Sequence, residues 1–160
     1  MELTVEGISA RAGVGKATIY RWWPNKARLV MDAFLAEINP QTPFPNTGSA
    51  RADTRRQMRL VVKVFRSARG RALAAVIGAL QTEPELAEAF RSRWLAERRA
   101  TAKRVLRRGV DRGQIRRDAD LEVAIDALYG PLYYRLLVDS PLTQEYADSL
   151  ADLVMTGLAV

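Results

Sequence analysis

Lys16, Thr18 and Tyr20 occupy alternate positions of one short stretch, and their side chains carry an ammonium group and two hydroxyl groups. Groups of this kind donate hydrogen bonds to the phosphate oxygens and base edges of duplex nucleic acid. The segment from Arg11 to Arg28 also holds five basic residues and no acidic one, which gives it the charge that a phosphate backbone attracts. These residue types therefore predict a surface that binds double-stranded DNA.

Two short helices joined by a tight turn would position these side chains. The first is predicted to begin at a Thr4 N-cap and to end at a left-handed C-cap on Gly13. The second is predicted over residues 16–22, and a third begins at Asn25, whose side chain can cap it. A helix-turn-helix of this size fits a major groove about 12 Å wide. From spacing alone, an ordinary helical hairpin with a solvated charged face stays the alternative.

The string LTVEGISARAGVGKATIYRWWPNKARLV resembles the DNA-binding segment of the tetracycline-repressor (TetR) family of bacterial transcription regulators. The A-G-V, T-I-Y and P-N-K elements occur in the order and at the spacing of that family. The resemblance implies that Lys16, Ala17 and Thr18 face the major groove and that Trp23 is a buried aromatic residue. It also implies DNA-backbone contacts for a second set of residues, namely Thr4, Tyr20, Trp22 and Lys26.

Each backbone-contacting residue also has a purely structural interpretation. Thr4 could serve only as a helix cap, Tyr20 and Trp22 only as packing side chains, and Lys26 only as a solvated charge in a first helical turn.

The resemblance further implies a helix before this segment, whereas the sequence opens directly at the family's second helix. A misassigned start codon and a truncation are both compatible with this beginning. Without the covering helix we expect Ile8, Ile19 and Trp23 to be exposed and the DNA-binding head to be poorly ordered.

The composition argues against catalysis. The sequence contains no cysteine and no histidine, which removes disulfides, Cys/His zinc sites and Ser-His-Asp chemistry. Glu83, Glu85 and Glu88 could act as paired carboxylates, but they surround Pro84 at a predicted helix start, where the helix dipole favours acids. We therefore predict that the protein is not an enzyme and has no catalytic residues, no metal and no cofactor.

The longest unbroken apolar run extends from Ala72 to Leu80 and is too short to cross a bilayer. The N-terminus has no signal-peptide pattern. We therefore predict a cytoplasmic protein with no membrane partner. The same run predicts a helix over residues 72–83 that is apolar on nearly all sides and therefore buried.

Three regions are predicted along the chain. Residues 1–38 form the helix-turn-helix DNA-binding domain, incomplete at its N-terminus by the resemblance. Residues 39–50 form a linker in which three prolines and a glycine interrupt the helical pattern. Residues 51–160 form an all-α ligand-binding and dimerisation domain with no strand-period segment. The predicted fold class is therefore all-α, a TetR-like helix-turn-helix followed by a helical bundle.

The charge is unevenly distributed. Residues 51–117 carry 19 basic and 6 acidic residues, whereas residues 118–160 carry 1 and 8. We expect the basic block from Arg91 to Arg117 to be a solvated helix face that the acidic C-terminal third partly balances. Contact with DNA or with an acidic partner is the alternative.

Apolar stripes on the last two predicted helices, together with the resemblance, imply a two-fold homodimer. The residues predicted to form its interface are Leu128, Leu132, Leu150, Leu153 and Val154.

A helix kink predicted at Gly130-Pro131, amid a surplus of large side chains, indicates a mainly apolar pocket for a small lipophilic effector, uncharged or anionic. Simple core packing is the alternative. Arg135 and the tyrosine hydroxyls are the expected polar groups. The predicted lining is Met58, Val62, Phe65, Ile77, Trp94, Tyr129 and Tyr133.

Two functional classes follow. The first is a one-component transcription regulator, a ligand-responsive repressor that binds a near-palindromic operator as a dimer. The second is a helical ligand-binding or interaction protein whose truncated DNA-binding head is inactive.

Overall fold

The computed structural model describes residues 4–38 and 42–160, and within them it contains nine α-helices and no strand. This confirms the predicted all-α fold class. A π-helical segment, Phe90–Leu95, joins the sixth and seventh helices into one continuous helical run. In chain order the helices are α1 (Val5–Ala12), α2 (Lys16–Trp22), α3 (Lys26–Ile38), α4 (Ala50–Phe65), α5 (Ala68–Ala79), α6 (Pro84–Ala89), α7 (Ala96–Asp111), α8 (Leu121–Leu137) and α9 (Gln144–Leu158).

Local chemistry sets both ends of α1 and the beginning of α3, as predicted. The Thr4 hydroxyl accepts a hydrogen bond from the Gly7 N–H (3.1 Å) and so caps α1. Gly13 takes the left-handed conformation (φ 67°) that lets the chain turn into α2. The Asn25 side-chain oxygen accepts from the Arg28 N–H (2.9 Å) and caps α3.

The apolar side chains of the helix-turn-helix are less exposed than expected. Ile19 is buried, with 4% of its surface exposed, so the prediction of its exposure is wrong. The cause is that α1 and α2 pack against each other, which covers the inner side of α2. Ile8 and Trp23 are half-buried, so Trp23 is covered only in part.

α3 belongs to the same hydrophobic core as the helices that follow it. Met31 is fully buried, and Phe34 is 8% exposed. Both lie in one cluster with Met58 and Val62 of α4 and Leu132 of α8. The division into domains at residues 39–50 stays a prediction, but the core is continuous across that segment.

Part of the predicted linker, residues 39–41, lies outside the described residues. The rest is held against the end of α7 by side-chain hydrogen bonds. Arg108 donates to the Pro45 carbonyl oxygen (3.2 Å), Arg112 to the Asn46 side-chain oxygen (3.2 Å), and Gln114 to the Gly48 carbonyl oxygen (2.8 Å).

The prediction of a buried helix over residues 72–83 is wrong in position by about one turn at each end. α5 begins earlier because the Ser67 hydroxyl accepts from the Arg69 N–H (3.1 Å) and caps it there. The helix is also not buried on all sides, since only Gly70 and Leu73 are buried in it. α5 packs against α3, α4 and α8, and its outward positions are mostly alanine and glycine.

Two further features concern the long helices. The helical run that carries the basic block contains the π-helical segment near its start, and this segment has no signal in the sequence. α8 continues through Pro131 to Leu137, and the predicted kink stays a prediction. Among the described residues, no helix is both long and apolar enough to cross a membrane.

The acidic C-terminal third pairs with Arg99 and Lys103 of the predicted basic block, and it also pairs with three arginines of α4, which was not predicted. These ion pairs lie at the surface, where solvent and salt screen them, so each contributes little to stability. They are Arg51–Asp152, Arg55–Asp148, Arg59–Asp148, Arg99–Glu122, Arg99–Asp126 and Lys103–Glu122.

Candidate nucleic-acid interface and internal cavity

The exposed side of α2 gathers most of the residues predicted to contact DNA. Lys16, Ala17 and Thr18 are exposed at its start, while Tyr20 and Trp22 are 49% and 68% exposed further along. Most of the Trp22 side chain is therefore open to solvent. The helix therefore presents a cation, a hydroxyl and two aromatic rings to the surroundings.

Lys16 forms an ion pair with Glu6 of α1, at 2.8 Å between Nζ and Oε1. Their hydrogen bond lowers the pKa of Glu6 and raises the pKa of Lys16 from their ordinary values. Both side chains are more than half exposed, so the pair is weak and can exchange for a phosphate or base contact.

Lys26 and Thr4 are already engaged within the protein. The Lys26 ammonium pairs with Glu83 at 3.1 Å, and the neighbouring Asn25 amide donates to Glu85 (2.9 Å). Glu83 and Glu85, which could have formed a carboxylate pair, instead hold the beginning of α3. The Thr4 hydroxyl accepts a capping bond, which leaves its own hydrogen available to an external acceptor.

The end of α2 is tied to the π-helical segment through α3. Trp23, which ends α2, donates its indole N–H to Asp32 Oδ2 (2.9 Å). The other oxygen of Asp32 forms an ion pair with Arg93 of the π-helical segment. Two residues further along α3, the Phe34 ring packs edge-to-face with the ring of Trp94, at 5.1 Å between centroids and 74° between planes.

An internal cavity of about 240 Å³ lies between α4, α7 and α8, and Trp94 forms part of its wall. Four of the seven predicted ligand contacts line it. Met58 and Val62 are fully buried in the core, and Ile77 of α5 is not part of the lining. The lining is Thr42, Val61, Val64, Phe65, Trp94, Leu95, Arg98, Arg99, Ile125, Asp126, Tyr129, Gly130 and Tyr133.

The tyrosine hydroxyls in this cavity are neutral hydrogen-bonding groups. Burial raises the pKa of Tyr129 to about 12, and burial also raises the pKa of Tyr133 above its ordinary value. The Trp94 indole N–H donates to the Tyr133 hydroxyl at 3.4 Å. Both hydroxyls therefore remain protonated at physiological pH.

Arg98 is a cavity residue that the sequence did not single out. It lies on the helical run four residues after Trp94, a spacing that places two side chains on one face. Arg135, the charged group expected from sequence, lies elsewhere: it donates to the Pro141 carbonyl oxygen and stacks on Tyr146 at 3.9 Å.

The residues predicted to form a dimer interface are divided by the fold. Leu128, Leu132 and Leu150 are buried inside the protomer, and Val154 is partly buried. Leu153 is 73% exposed on α9. The neighbouring α8 exposes a row of apolar or small residues at helical spacing, namely Val123, Ala127, Gly130, Tyr134 and Leu137.

Two family models match the chain. The model described as bacterial regulatory proteins, tetR family, matches residues 1–33, and the model of the tetracyclin repressor-like C-terminal domain matches residues 44–154.

Curated relatives cover nearly the whole chain. The uncharacterized HTH-type transcriptional regulator YdeS of Bacillus subtilis (strain 168) is 42% identical over 97% of this chain and 77% of its own length. The uncharacterized HTH-type transcriptional regulator Rv1556 of Mycobacterium tuberculosis is 33% identical over 96% of this chain and 76% of its own.

Solved structures of TetR-family regulators have the same fold as this chain. The crystal structure of the TetR family transcription regulator SCO0332 superposes with a TM-score of 0.86 at 38% identity, covering 99% of this chain and 88% of that one. FadR of Bacillus subtilis, crystallised with stearoyl-CoA, superposes with a TM-score of 0.72 over 98% and 89% of the two chains. At 16% identity, that similarity shows the fold alone.

Proposed function

The chain belongs to the TetR family of bacterial transcription regulators and is a DNA-binding regulator, and from this premise we propose that it is a ligand-responsive repressor. It binds a near-palindromic operator as a homodimer, and an effector in the internal cavity releases it. A regulator of this kind acts by binding rather than by catalysis, and its DNA target implies that it acts in the cytoplasm.

The edge contact between Trp94 and Phe34 is the observation on which ligand response rests. Trp94 lines the cavity, whereas Phe34 belongs to the helix that follows the recognition helix α2. An effector that displaces the Trp94 ring must therefore disturb the packing of α3. A ligand shifts operator affinity only by its differential affinity for the two arrangements, typically 1–3 kcal/mol.

A second link runs beside this contact. Arg93 precedes Trp94 in the π-helical segment and pairs with Asp32, which in turn accepts the Trp23 indole N–H at the end of α2. π-helical turns are rare and occur frequently at functional sites. The first link joins the cavity wall to α3, and the second joins the π-helical segment to the end of the recognition helix.

The homodimer is supported by the exposed apolar row on α8 and by the exposed Leu153 on α9. These helices pack against each other, so their outward faces are adjacent surfaces of one protomer. Leu153 on α9 and Tyr134 on α8 are among the most exposed large apolar residues. A monomer rarely leaves such surfaces open, and a two-fold partner would cover both helices at once.

Replacing Lys26 and Thr18 separately tests the DNA contacts. Lys26→Ala removes a backbone contact, so we expect weaker binding to all duplexes and a salt slope smaller by about 1. Thr18→Ala removes a group that faces base edges and should chiefly change which sequences are preferred. Fluorescence anisotropy on specific and random duplexes over a range of salt concentrations separates the two outcomes.

Glu83→Gln is the matched control for Lys26. It frees the ammonium group from its ion pair at 3.1 Å and removes a negative charge near the DNA, so affinity should rise for every duplex. Binding that falls in Glu83→Gln, or a Lys26→Ala variant that alters only sequence preference, would contradict the role given to Lys26.

A further inference from the structure

The charged residues of the cavity differ in whether they have an ion-pair partner. Arg99 and Asp126 form an ion pair with each other at one edge. Arg98 has no carboxylate within ion-pairing distance among the described residues. A guanidinium that is partly removed from water without an anionic partner leaves positive potential in its surroundings.

Neutral groups hold Arg98 in place. Its Nη1 donates to the Thr42 carbonyl oxygen (3.0 Å), and its Nη2 is 2.9 Å from the Gln57 side-chain oxygen when that amide is oriented to donate to Pro43. The guanidinium carbon lies 4.4 Å from the centroid of the Phe44 ring. These contacts fix the position of the group, but none of them neutralises it.

Burial lowers the pKa of Arg98 from its ordinary value, and the group nevertheless stays charged because a guanidinium does not release its proton in proteins. A fixed, planar cation in an apolar wall is the usual partner of a carboxylate, which it can bind through two parallel hydrogen bonds. The Tyr129 and Tyr133 hydroxyls lie in the same cavity and can donate to a second acceptor.

We propose that the effector is an amphipathic carboxylate whose carboxylate group pairs with Arg98 while its apolar body fills the cavity. This inference rests on the proposed ligand-responsive function. Phe65, Trp94 and Leu95 supply the apolar wall for the body of the ligand. An apolar cavity of about 150 Å³ holds a benzene molecule, so a cavity of about 240 Å³ fits a small ligand only.

A purely structural role for Arg98 makes a different prediction. In that case it only pins residues 42–44 to α7, just as Arg108 pins Pro45 through a hydrogen bond of 3.2 Å. Arg108 does not line the cavity, so it is a matched control for any effect of loosening this segment.

The test measures binding to the full chain by titration calorimetry. The probes are two carboxylates, octanoate and 4-butylbenzoate, with 1-octanol, 4-butylbenzyl alcohol and octylammonium as matched uncharged and cationic compounds. We expect each carboxylate to bind at least about tenfold more tightly than its alcohol, because an ionised partner strengthens the hydrogen bond. Octylammonium should bind more weakly than both.

Arg98→Met keeps an unbranched side chain of similar reach and removes the charge. We expect it to lower carboxylate affinity by about tenfold or more while leaving the alcohols unchanged. Arg98→Lys should retain part of the preference, and Arg108→Met should retain all of it. Thermal unfolding of each variant establishes that it is folded.

Three outcomes would overturn the inference: alcohols that bind as tightly as the carboxylates, carboxylates that do not bind, or a carboxylate preference that survives in Arg98→Met. Operator release by an alcohol alone would overturn it and leave the proposed repressor function intact. Carboxylate binding with no effect on DNA would support the pairing of a carboxylate with Arg98 and contradict the proposed ligand response.

Discussion

A Leu153→Arg variant is expected to be monomeric at micromolar concentrations, where the wild-type chain is a dimer. Leu153 is 73% exposed on α9, so an arginine there disturbs nothing inside the protomer but places a charge in the middle of the proposed interface. Losing the second DNA-binding head should lower operator affinity by about 100-fold or more, because the two half-sites are no longer bound together. Analytical ultracentrifugation and anisotropy measure the two effects.

Two controls separate this result from misfolding. Ala75→Arg introduces the same charge at an exposed position of α5 and should leave both the dimer and the DNA affinity unchanged. Leu150→Arg would place a charge in the protomer core, since Leu150 is 9% exposed, and should unfold the protein instead. A Leu153→Arg protein that sediments as the wild type does would contradict the interface.

Phe34→Ala is expected to lower the free energy of unfolding by about 3–5 kcal/mol. Phe34 is 8% exposed, lies in the main core cluster and packs on the edge of Trp94, so its removal leaves a cavity between α3 and the π-helical segment. Because α3 follows the recognition helix directly, we also expect weaker operator binding. Urea denaturation followed by circular dichroism gives the stability change.

Phe34→Leu is the conservative control, because it nearly keeps the volume and should cost less than about 1.5 kcal/mol. It removes the aromatic edge contact with Trp94. We therefore expect it to reduce the effect of an effector on DNA binding while the protein stays folded. If the free energy of unfolding of Phe34→Ala is within about 1 kcal/mol of the wild-type value, α3 is not anchored at the cavity wall as described.

Capping chemistry explains why the helix-turn-helix could be predicted from sequence. Thr4, Gly13 and Asn25 act through hydrogen bonds and backbone conformations that span three or four residues, so their neighbours in the chain determine them. The same holds for α9, which Thr143 caps by accepting from the Tyr146 N–H (3.1 Å). Interactions that span three or four residues can be predicted without knowledge of the tertiary fold.

The candidate sites were predictable only in part, because periodicity shows that a face is apolar but not what covers it. Leu150 and Leu153 both belong to the apolar stripe of α9, yet Leu150 is in the protomer core and Leu153 is at the surface. Arg98 lies in a block of basic residues that resembles a solvated face. Only the packing of residues 42–44 over it reveals its position in the cavity.

The π-helical segment shows a further limit. Nothing in the string FRSRWL distinguishes it from regular helix, although the segment packs against α3 in the fold. The pairing of Arg93 with Asp32 joins residues far apart in the chain. The connection between the cavity region and the recognition helix was therefore absent from the prediction, although the recognition helix and the cavity were each predicted.

Selection of duplexes from a random DNA library by the purified full chain tests the central claim most directly. The account predicts enrichment of two inverted half-sites about one helical turn apart, which Thr18→Ala alters in sequence and Leu153→Arg abolishes. It also predicts that octanoate releases the selected duplex from the wild-type chain. Two results would contradict a dimeric, ligand-responsive repressor. One is a selection in which no sequence is enriched, and the other is enrichment of a single half-site that Leu153→Arg binds equally well.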